Sequence, residues 1–401
     1  MIINGRRALA YTARIDSVTP LDGYDRVEYA HIGGWGVIVS KADGFKSGDL
    51  CIYIETDSLC PKEDERFAFL EKRKYKVKIQ KMCKVYSQGL IMPLSMFPEI
   101  KDAEEGVDVT DILGITYYVP EDNKRKAEYD PYKAMACRHP KVFRKKPVRW
   151  LMRRNWGKKI LYVFFGRGSK EKENTDKFPA HFAYVSKTDE ERIENLPHLL
   201  EYGEPFCVTE KLDGTSSTYI LEKKKRGKYE FYVCSRNVRM KTDTQESFHN
   251  DKGKDNVYWA NAKKYGIENH LREYLNANNL DYVCIQGESV GPGLQGNPLK
   301  LENVDLYCFN FIRSDSGRLP SIEGKAIVEG WGMKWVPILD TEYHMPNAGG
   351  NKDSLGAMEE FKLYADGKSK VNKDVLREGV VLRNGDLSFK NVSREYMKRH
   401  G

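Results

Sequence analysis

"TEKLDGTS", residues 209–216, places a lysine between two carboxylates and closes on a glycine, directly after the apolar run "PFCV" at 205–208. If the run is a strand, residues two apart share a face, so Lys211 and Asp213 project together. Gly214 then lets the backbone turn tightly or approach a ligand closely. Taken alone, K-x-D-G describes a surface ion pair at a strand end as well as it describes a reactive amine. The rest of the chain decides between the two.

Downstream, in order, come "SRN" (235–237), "GESVGPGLQGN" (287–297), "LYCFNF" (306–311), "EGVVLR" (378–383) and "SFKN" (388–391). These short stretches sit on or beside apolar runs of strand length, among them "SSTYILEK", "YEFYVCSRN", "DYVCIQGES", "DLYCFNFI" and "LSFKNV". Helical stretches such as "NVYWANAKKYGIENHLREYLNAN" and "KDSLGAMEEFKLYADG" interrupt them. Strands dominate without a regular βαβ repeat, which disfavours a Rossmann-like parallel sheet and indicates an α+β domain. The glycines from Gly287 to Gly296 suit an inter-strand turn better than a phosphate cradle. No G-x-x-x-x-G-K-[ST] pattern occurs, so P-loop chemistry is set aside.

The ordered set resembles motifs I, Ia, III, IIIa, IV and V of the covalent nucleotidyltransferases, the superfamily of ATP-dependent ligases and mRNA capping enzymes. The resemblance implies an ATP-grasp-like adenylyltransferase domain with antiparallel sheets and flanking helices. It also implies that Lys211 attacks the α-phosphorus of a nucleotide. A lysine must be neutral to do so, although its ordinary pKa is near 10.4, and a metal ion or Lys390 would lower it. Asp213, Glu288 and Glu378 are then the carboxylates that hold a hydrated Mg²⁺ or Mn²⁺ against the α-phosphate. Lys390 neutralises charge on that phosphate. Glu210 contacts the adenine through its backbone, and Arg236 serves the sugar or an RNA phosphate. Phe309 gives the base a flat face, with Val380 or Leu382 covering the other side. One departure stands out: motif V commonly reads Lys-x-Lys, and here the first position is Ser388. Either Lys390 suffices or another cation substitutes.

Residues 1–120 are different in kind. "ALAYTARI", "VEYAHI", "GVIVSK", "DLCIYIETD", "YKVKIQ" and "QGLIMPL" are predicted as five or six short strands, which suggests a small closed barrel of the OB type. In DNA ligases and capping enzymes the OB domain follows motif V, but only about ten residues follow Lys390 here. A leading barrel with "FKSGDLCIYIETDSLCP" and "YSQGLIMPL", and "FPAHFAYVSKTDEERIENL" ahead of the motif I strand, is similar to the RNA ligase 5 family. That resemblance implies an N-terminal OB module that helps engage the pyrophosphate leaving group. It implies an enzyme adenylated on lysine by ATP, which joins RNA 3′-hydroxyl and 5′-phosphate ends, nicked duplexes included. The expected organisation is OB domain 1–120, insert 121–177 and adenylyltransferase domain 178–401.

The insert carries its own signal. From Arg138 to Lys172 there are 13 Lys and Arg against one acid, Glu171, a net +12 within a chain whose total is +8. Interleaved Trp and Phe, and apolar residues at helical spacing from Val148 to Trp156, suit either a solvated basic helix or an RNA contact. The eight cysteines form no C-x-x-C pair, so a structural zinc site is not expected. No run reaches the roughly 18 apolar residues of a membrane span, and the N-terminus lacks a secretory core. An intracellular, membrane-free protein is the expectation. Two alternatives stay open: a DNA ligase or GTP-dependent guanylyltransferase using the same lysine, and a non-catalytic RNA-binding protein built on the same domains.

Overall fold

The computed structural model describes residues 1–3, 6–100, 104–118, 148, 151, 154, 161, 175–177, 184–186, 188–240 and 256–400. Met1–Tyr117 and Thr175–Gly401 make one compact unit, and Tyr118–Asn174 make another. Nearly all of the insert, and with it the basic segment and its expected helix, lies outside the described residues. Among those that are described, no helix is long and apolar enough to cross a membrane.

The leading module is a barrel because its first strand bends. Segment β1 (Ala10–Arg14) pairs antiparallel with β5 (Leu50–Ile54), while its continuation β2 (Ser17–Leu21) pairs with β3 (Tyr24–Ile32). Strand β4 (Trp35–Ser40) follows β3, and β6 (Leu90–Pro93) lies on the other side of β5. The ring closes where the Gln88 N–H donates to the Gly36 carbonyl at 2.8 Å. Tyr11, Ala30, Trp35, Val37, Cys51, Tyr53 and Ile91 fill the interior. The opposite face of β5 is covered too, since Ile52 and Ile54 pack with Phe67, Leu70 and Phe97. Burial on both faces explains why "LCIYI" reads as an unbroken apolar run.

"YKVKIQ" is not a strand through Ile79, contrary to its alternation, and only Gln80 opens one, Gln80–Met82. Lys74 and Tyr75 take φ of +54° and +61°, a left-handed pair that ends any extended path. Val77 and Ile79 are buried all the same, so the alternation records burial in an irregular segment.

Two sheets build the second part. The sheet carrying the lysine runs Glu191–Arg192, β15 (Leu387–Val392), β14 (Gly379–Asn384), β7 (Phe206–Lys211) and β13 (Ile338–Tyr343). The other has at its centre β9 (Tyr229–Ser235), β8 (Thr215–Lys223), β11 (Tyr282–Val290) and β12 (Asp305–Arg313), each antiparallel to the next. Helices α1 (Val257–Lys264) and α2 (Ile267–Ala277) pack on this second sheet through Trp259, Ile267, Leu271 and Leu275. They divide the single expected helical stretch because Gly266, at φ +57°, breaks it. Helix α3 (Ser321–Gly330) and strand β13 carry little sequence signal, and β13 has no buried residue. Helices α4 (Ser354–Tyr364) and α5 (Arg394–His400) complete the unit.

Barrel and transferase are joined by polar contacts as well as packing. The Trp35 indole N–H donates to Asn195 Oδ1 at 2.7 Å, the Gly34 N–H to the Glu194 carbonyl at 2.7 Å, and the buried Lys362 ammonium to Gln88 Oε1 at 3.1 Å and to the Gly34 carbonyl. Ile79 meets Val392 and Met397 in a small apolar cluster. The leading module thereby holds the segment 191–195, immediately after the acids at 189 and 190.

Candidate active site

Strand β7 ends at Lys211, whose ammonium donates to both carboxylate oxygens of Glu378, at 2.7 and 2.8 Å. The two meet because Lys211 is paired in register with Gly379, the first residue of β14. The close packing of β14 on β15 at this point needs a glycine: a Cβ at 379 would lie 2.3 Å from the Asn391 carbonyl oxygen. Gly214 likewise serves close approach, since a Cβ there would lie 2.3 Å from the Ser289 carbonyl oxygen. It draws the chain after Lys211 onto β11 beside Glu288, and Asp213 enters the same group from the intervening loop. The Lys211 side chain is 24% exposed and opens onto a cleft that Glu210, Arg236, Glu288, Phe309 and Lys390 also line.

A second cluster faces the lysine across this cleft. Asp189 pairs with Arg236, and the Lys390 ammonium donates to its other oxygen at 3.4 Å. Burial raises a carboxyl pKa, yet Lys390 and Arg236 outweigh it and hold Asp189 below the ordinary value. Burial, with Arg192, Arg7 and Lys211 adding like charge against Asp189, brings Lys390 down to about 8. Glu190 pairs with Arg383 at 3.3 Å. Arg383 also donates to Thr209 Oγ1 at 2.8 Å and lies 5.4 Å over the Phe309 ring.

A model of the RNA ligase family matches residues 204–399, and a model of an OB-fold domain matches residues 9–94. The whole chain is also similar to solved structures of a Naegleria gruberi RNA ligase. With pyrophosphate, that protein aligns at 28% identity and a TM-score of 0.69, over 98% of this chain and 99% of its own. Variants of it with AMP and manganese and with ATP and manganese align at the same identity and score. Residues 204–399 form an RNA ligase domain. No curated protein matches its sequence. In the ligase, as expected, an OB module precedes a sheet-rich nucleotidyltransferase domain.

The ligase departs from its sequence-based expectations at two places. First, Val380 and Leu382 do not cover a base: both are fully buried in the core behind the lysine sheet, with Phe206, Val208 and Phe389. Their neighbours Val381 and Arg383 line the cleft instead, as the alternation of a strand requires. Second, the resting Lys211 amine is charged. Burial lowers its pKa, but Glu378, Glu288 and Asp213 together raise it above the ordinary value. The Glu210 N–H is engaged, donating to the Pro337 carbonyl at 2.8 Å, and its carboxylate accepts from the Lys370 N–H at 2.7 Å, so a backbone contact to adenine would fall to its carbonyl. Glu210 still lines the cleft, but its amide hydrogen is unavailable to adenine.

Sequence reasoning missed Asp189, Glu190, Arg383 and Tyr396, whose phenol donates to Asp213 Oδ2 at 2.8 Å. Asp189 and Glu190 lie in the stretch that marks the approach to motif I, where their acidity was the available signal. Arg383 ends "EGVVLR", and its register partner on β15 is Ser388. A cation thus stands directly across the sheet from Ser388.

The acids around Lys211 carry more negative charge than one ammonium offsets. Burial, reinforced by Glu378 and Asp213, pushes Glu288 up to about 8, and burial with Glu378 brings Asp213 to about 6. Among the described residues no three His, Cys, Asp or Glu side chains are arranged to ligate a metal directly. The crowding of three acids about one ammonium suits a divalent cation held through its waters, which would relieve the repulsion.

A stability test follows from the raised acids. Between the unfolded value near 4.5 and about 8 the folded ligase holds a proton on Glu288 that the unfolded chain has lost. Metal-free stability should then fall as pH rises through that window, by on the order of 1–3 kcal/mol. Glu288→Gln should flatten the slope in urea denaturation followed from pH 5 to 9. An unchanged slope would place the charge strain elsewhere.

Proposed function

We propose that this chain, with its RNA ligase domain, seals RNA by taking AMP from ATP onto Lys211, passing it to an RNA 5′-phosphate, and letting a 3′-hydroxyl displace it. The observation that carries this is the Lys211 amine at the mouth of the cleft, bound to Glu378 and surrounded by Glu288 and Asp213. The printed states of the Naegleria structures, with ATP and manganese, with AMP and manganese and with pyrophosphate, support ATP and a divalent cation as the requirements here.

For the first step the ammonium must give up a proton, to its partner Glu378 or to solvent. Its nitrogen then bonds the α-phosphorus as the bond to pyrophosphate breaks. Asp213, Glu288 and Glu378 would hold a divalent cation, which would supply positive charge beside these carboxylates and the phosphates. The chain's own part is to hold the amine and phosphorus in line. Lys390, already brought to about 8, meets the α-phosphate, with Arg383 beside it in place of a first motif V lysine. Phe309 and Val381 flank the base. Arg236 reaches the sugar or the RNA end.

The leading module contributes Arg7 to this ring of cations. Its guanidinium is held by Glu55 at 2.9 Å, and its charge is felt at both Asp189 and Lys390. Arg7 is thus the barrel residue best placed for the departing pyrophosphate. The insert at 138–172 is the proposed additional grip on RNA. Neutralising Arg153, Arg154, Lys158 and Lys159 should lower RNA affinity and reduce the salt slope by roughly 0.7–0.9 per lost phosphate contact, read from binding at several salt concentrations. Equal slopes would leave the insert a solvated face.

The deciding experiment exposes the purified protein to α-labelled ATP or GTP with Mg²⁺ or Mn²⁺ and maps any adduct to a peptide. Label from ATP, on the peptide that holds Lys211, is the expected result. Label from GTP would move the chain to the capping chemistry, and nicked RNA and DNA duplexes would then separate the two ligase substrates.

A further inference from the structure

Asp213 sits in the loop after β7, with two rotatable side-chain torsions and no strand to fix it. Among the described residues it has one hydrogen-bond partner, the Tyr396 phenol. Tyr396 belongs to α5, past the last of the motifs, and only 5% of its surface is exposed. The start of that helix is tied to the same carboxylate group at a second point. The Ser393 N–H donates to the Glu378 carbonyl at 2.8 Å, while Ser393 Oγ donates to Asp366 at 2.6 Å and accepts from the Tyr396 N–H at 3.1 Å. One turn of chain, "SREY" at 393–396, therefore grips the backbone of Glu378 and the side chain of Asp213. The helix is itself anchored: Arg394 makes a two-toothed pair with Glu359 at 2.6 and 2.7 Å, and Met397 packs against Val392 and Ile79.

We propose that Tyr396 is a positioning residue of the metal site: its hydroxyl holds one oxygen of Asp213 so that the other is presented to the waters of the divalent cation. The inference rests on the assignment of Asp213 to metal holding made above. A phenol suits the task because it is neutral, so it orients the carboxylate without cancelling its charge, as a lysine would. Its ring is clamped by burial and by stacking on His400 at 4.3 Å, so the hydroxyl adds no freedom of its own. Partners that orient metal-holding carboxylates in this way typically contribute about 10–100-fold to metal affinity.

The test is Tyr396→Phe, which removes one oxygen and keeps the ring. Mn²⁺ binding is measured by electron paramagnetic resonance in the presence of α,β-methylene ATP, which cannot adenylate the enzyme. The Mn²⁺ dependence of Lys211 adenylation by ATP is followed in parallel. The expected result is a Mn²⁺ dissociation constant raised about tenfold, with an adenylation rate that returns close to wild type at saturating Mn²⁺. Arg394→Met serves as the second variant, because it loosens the helix from Glu359 and leaves the phenol in place. It should keep the wild-type Mn²⁺ affinity. Unchanged affinity in Tyr396→Phe, a rate loss that Mn²⁺ does not restore, or equal weakening in Arg394→Met would each overturn the proposal. A wild-type protein that never acquires AMP on Lys211 would instead bring down the adenylation scheme, which the mass of the protein alone reports.

Discussion

Lys211→Ala should abolish the AMP adduct and the sealing of RNA with ordinary 5′-phosphate ends, a loss of at least about 10⁴-fold, the scale of a removed nucleophile. The same variant should still seal RNA whose 5′ end already carries AMP, because the lysine has finished its work once the nucleotide has moved. Alanine also strips the cation from a cluster of three acids, so instability could imitate a loss of chemistry. Lys211→Arg removes that ambiguity. It keeps a positive charge opposite Glu378 but has no nucleophilic amine, since a guanidinium stays protonated. Both variants should therefore lack the adduct, while the arginine form holds its urea midpoint nearer to wild type. Retained adduct in either variant, read from intact mass after ATP and Mn²⁺, would remove Lys211 from the reaction.

The charge state of that lysine connects structure to chemistry. In the resting protein Glu378 holds the amine as an ammonium, protected from random reaction with phosphates. On the proposed assignment of these carboxylates to the cation, metal entry would be a condition of reactivity, because the same acids stabilise the ammonium. A nucleophile needing no metal would be expected to show the opposite, a lysine buried without acids and pushed below its ordinary pKa.

How far the sequence carried follows from what it encodes locally. Strands β7, β8, β9, β11, β12, β14 and β15 were legible because each has alternating or doubly buried apolar residues ending at a motif. Lys211 ends β7, Glu288 lies near the end of β11, and Phe309 and Lys390 lie within β12 and β15; all four line the cleft, and Glu378, just ahead of β14, joins them through Lys211. Strand β13 was not legible, since an edge strand with no buried residue has no period to show. The facing of Val380 and Val381 was misjudged by one residue, which on a strand reverses every side chain. The partnerships of Asp189 and Tyr396 were invisible for another reason. Asp189 reaches Lys390 across 201 residues of chain, and Tyr396 reaches Asp213 across 183. No local pattern marks such partners. The same holds for Arg383, whose value appears only when the register sets it opposite Ser388.

Glu190→Ala should cost about 3–5 kcal/mol of folding stability, the scale for leaving one charge of a buried pair without its partner. The side chains of Glu190 and Arg383 are only 14% and 7% exposed. Burial works against both charges. For Glu190 the Arg383 and Lys390 cations win, and its pKa lies below the ordinary value; for Arg383 burial wins over the single carboxylate. The guanidinium is thus the strained member, and removing Glu190 strands it. Arg383→Met should be milder for stability, because Glu190 keeps Lys390 nearby and a protonated glutamic acid tolerates burial where a guanidinium does not. Activity should rank the two variants the other way. At a temperature where both are folded, Glu190→Ala retains a cation opposite Ser388, whereas Arg383→Met leaves Lys390 alone against the α-phosphate and should lose adenylation by about 10–100-fold in kcat/KM for ATP, matching about 1.4–2.7 kcal/mol of lost transition-state charge stabilisation. Denaturation midpoints and single-turnover adenylation of both variants decide the matter. Equal adenylation by Arg383→Met and wild type would show that Lys390 suffices alone and that the pair exists only to close the cleft floor.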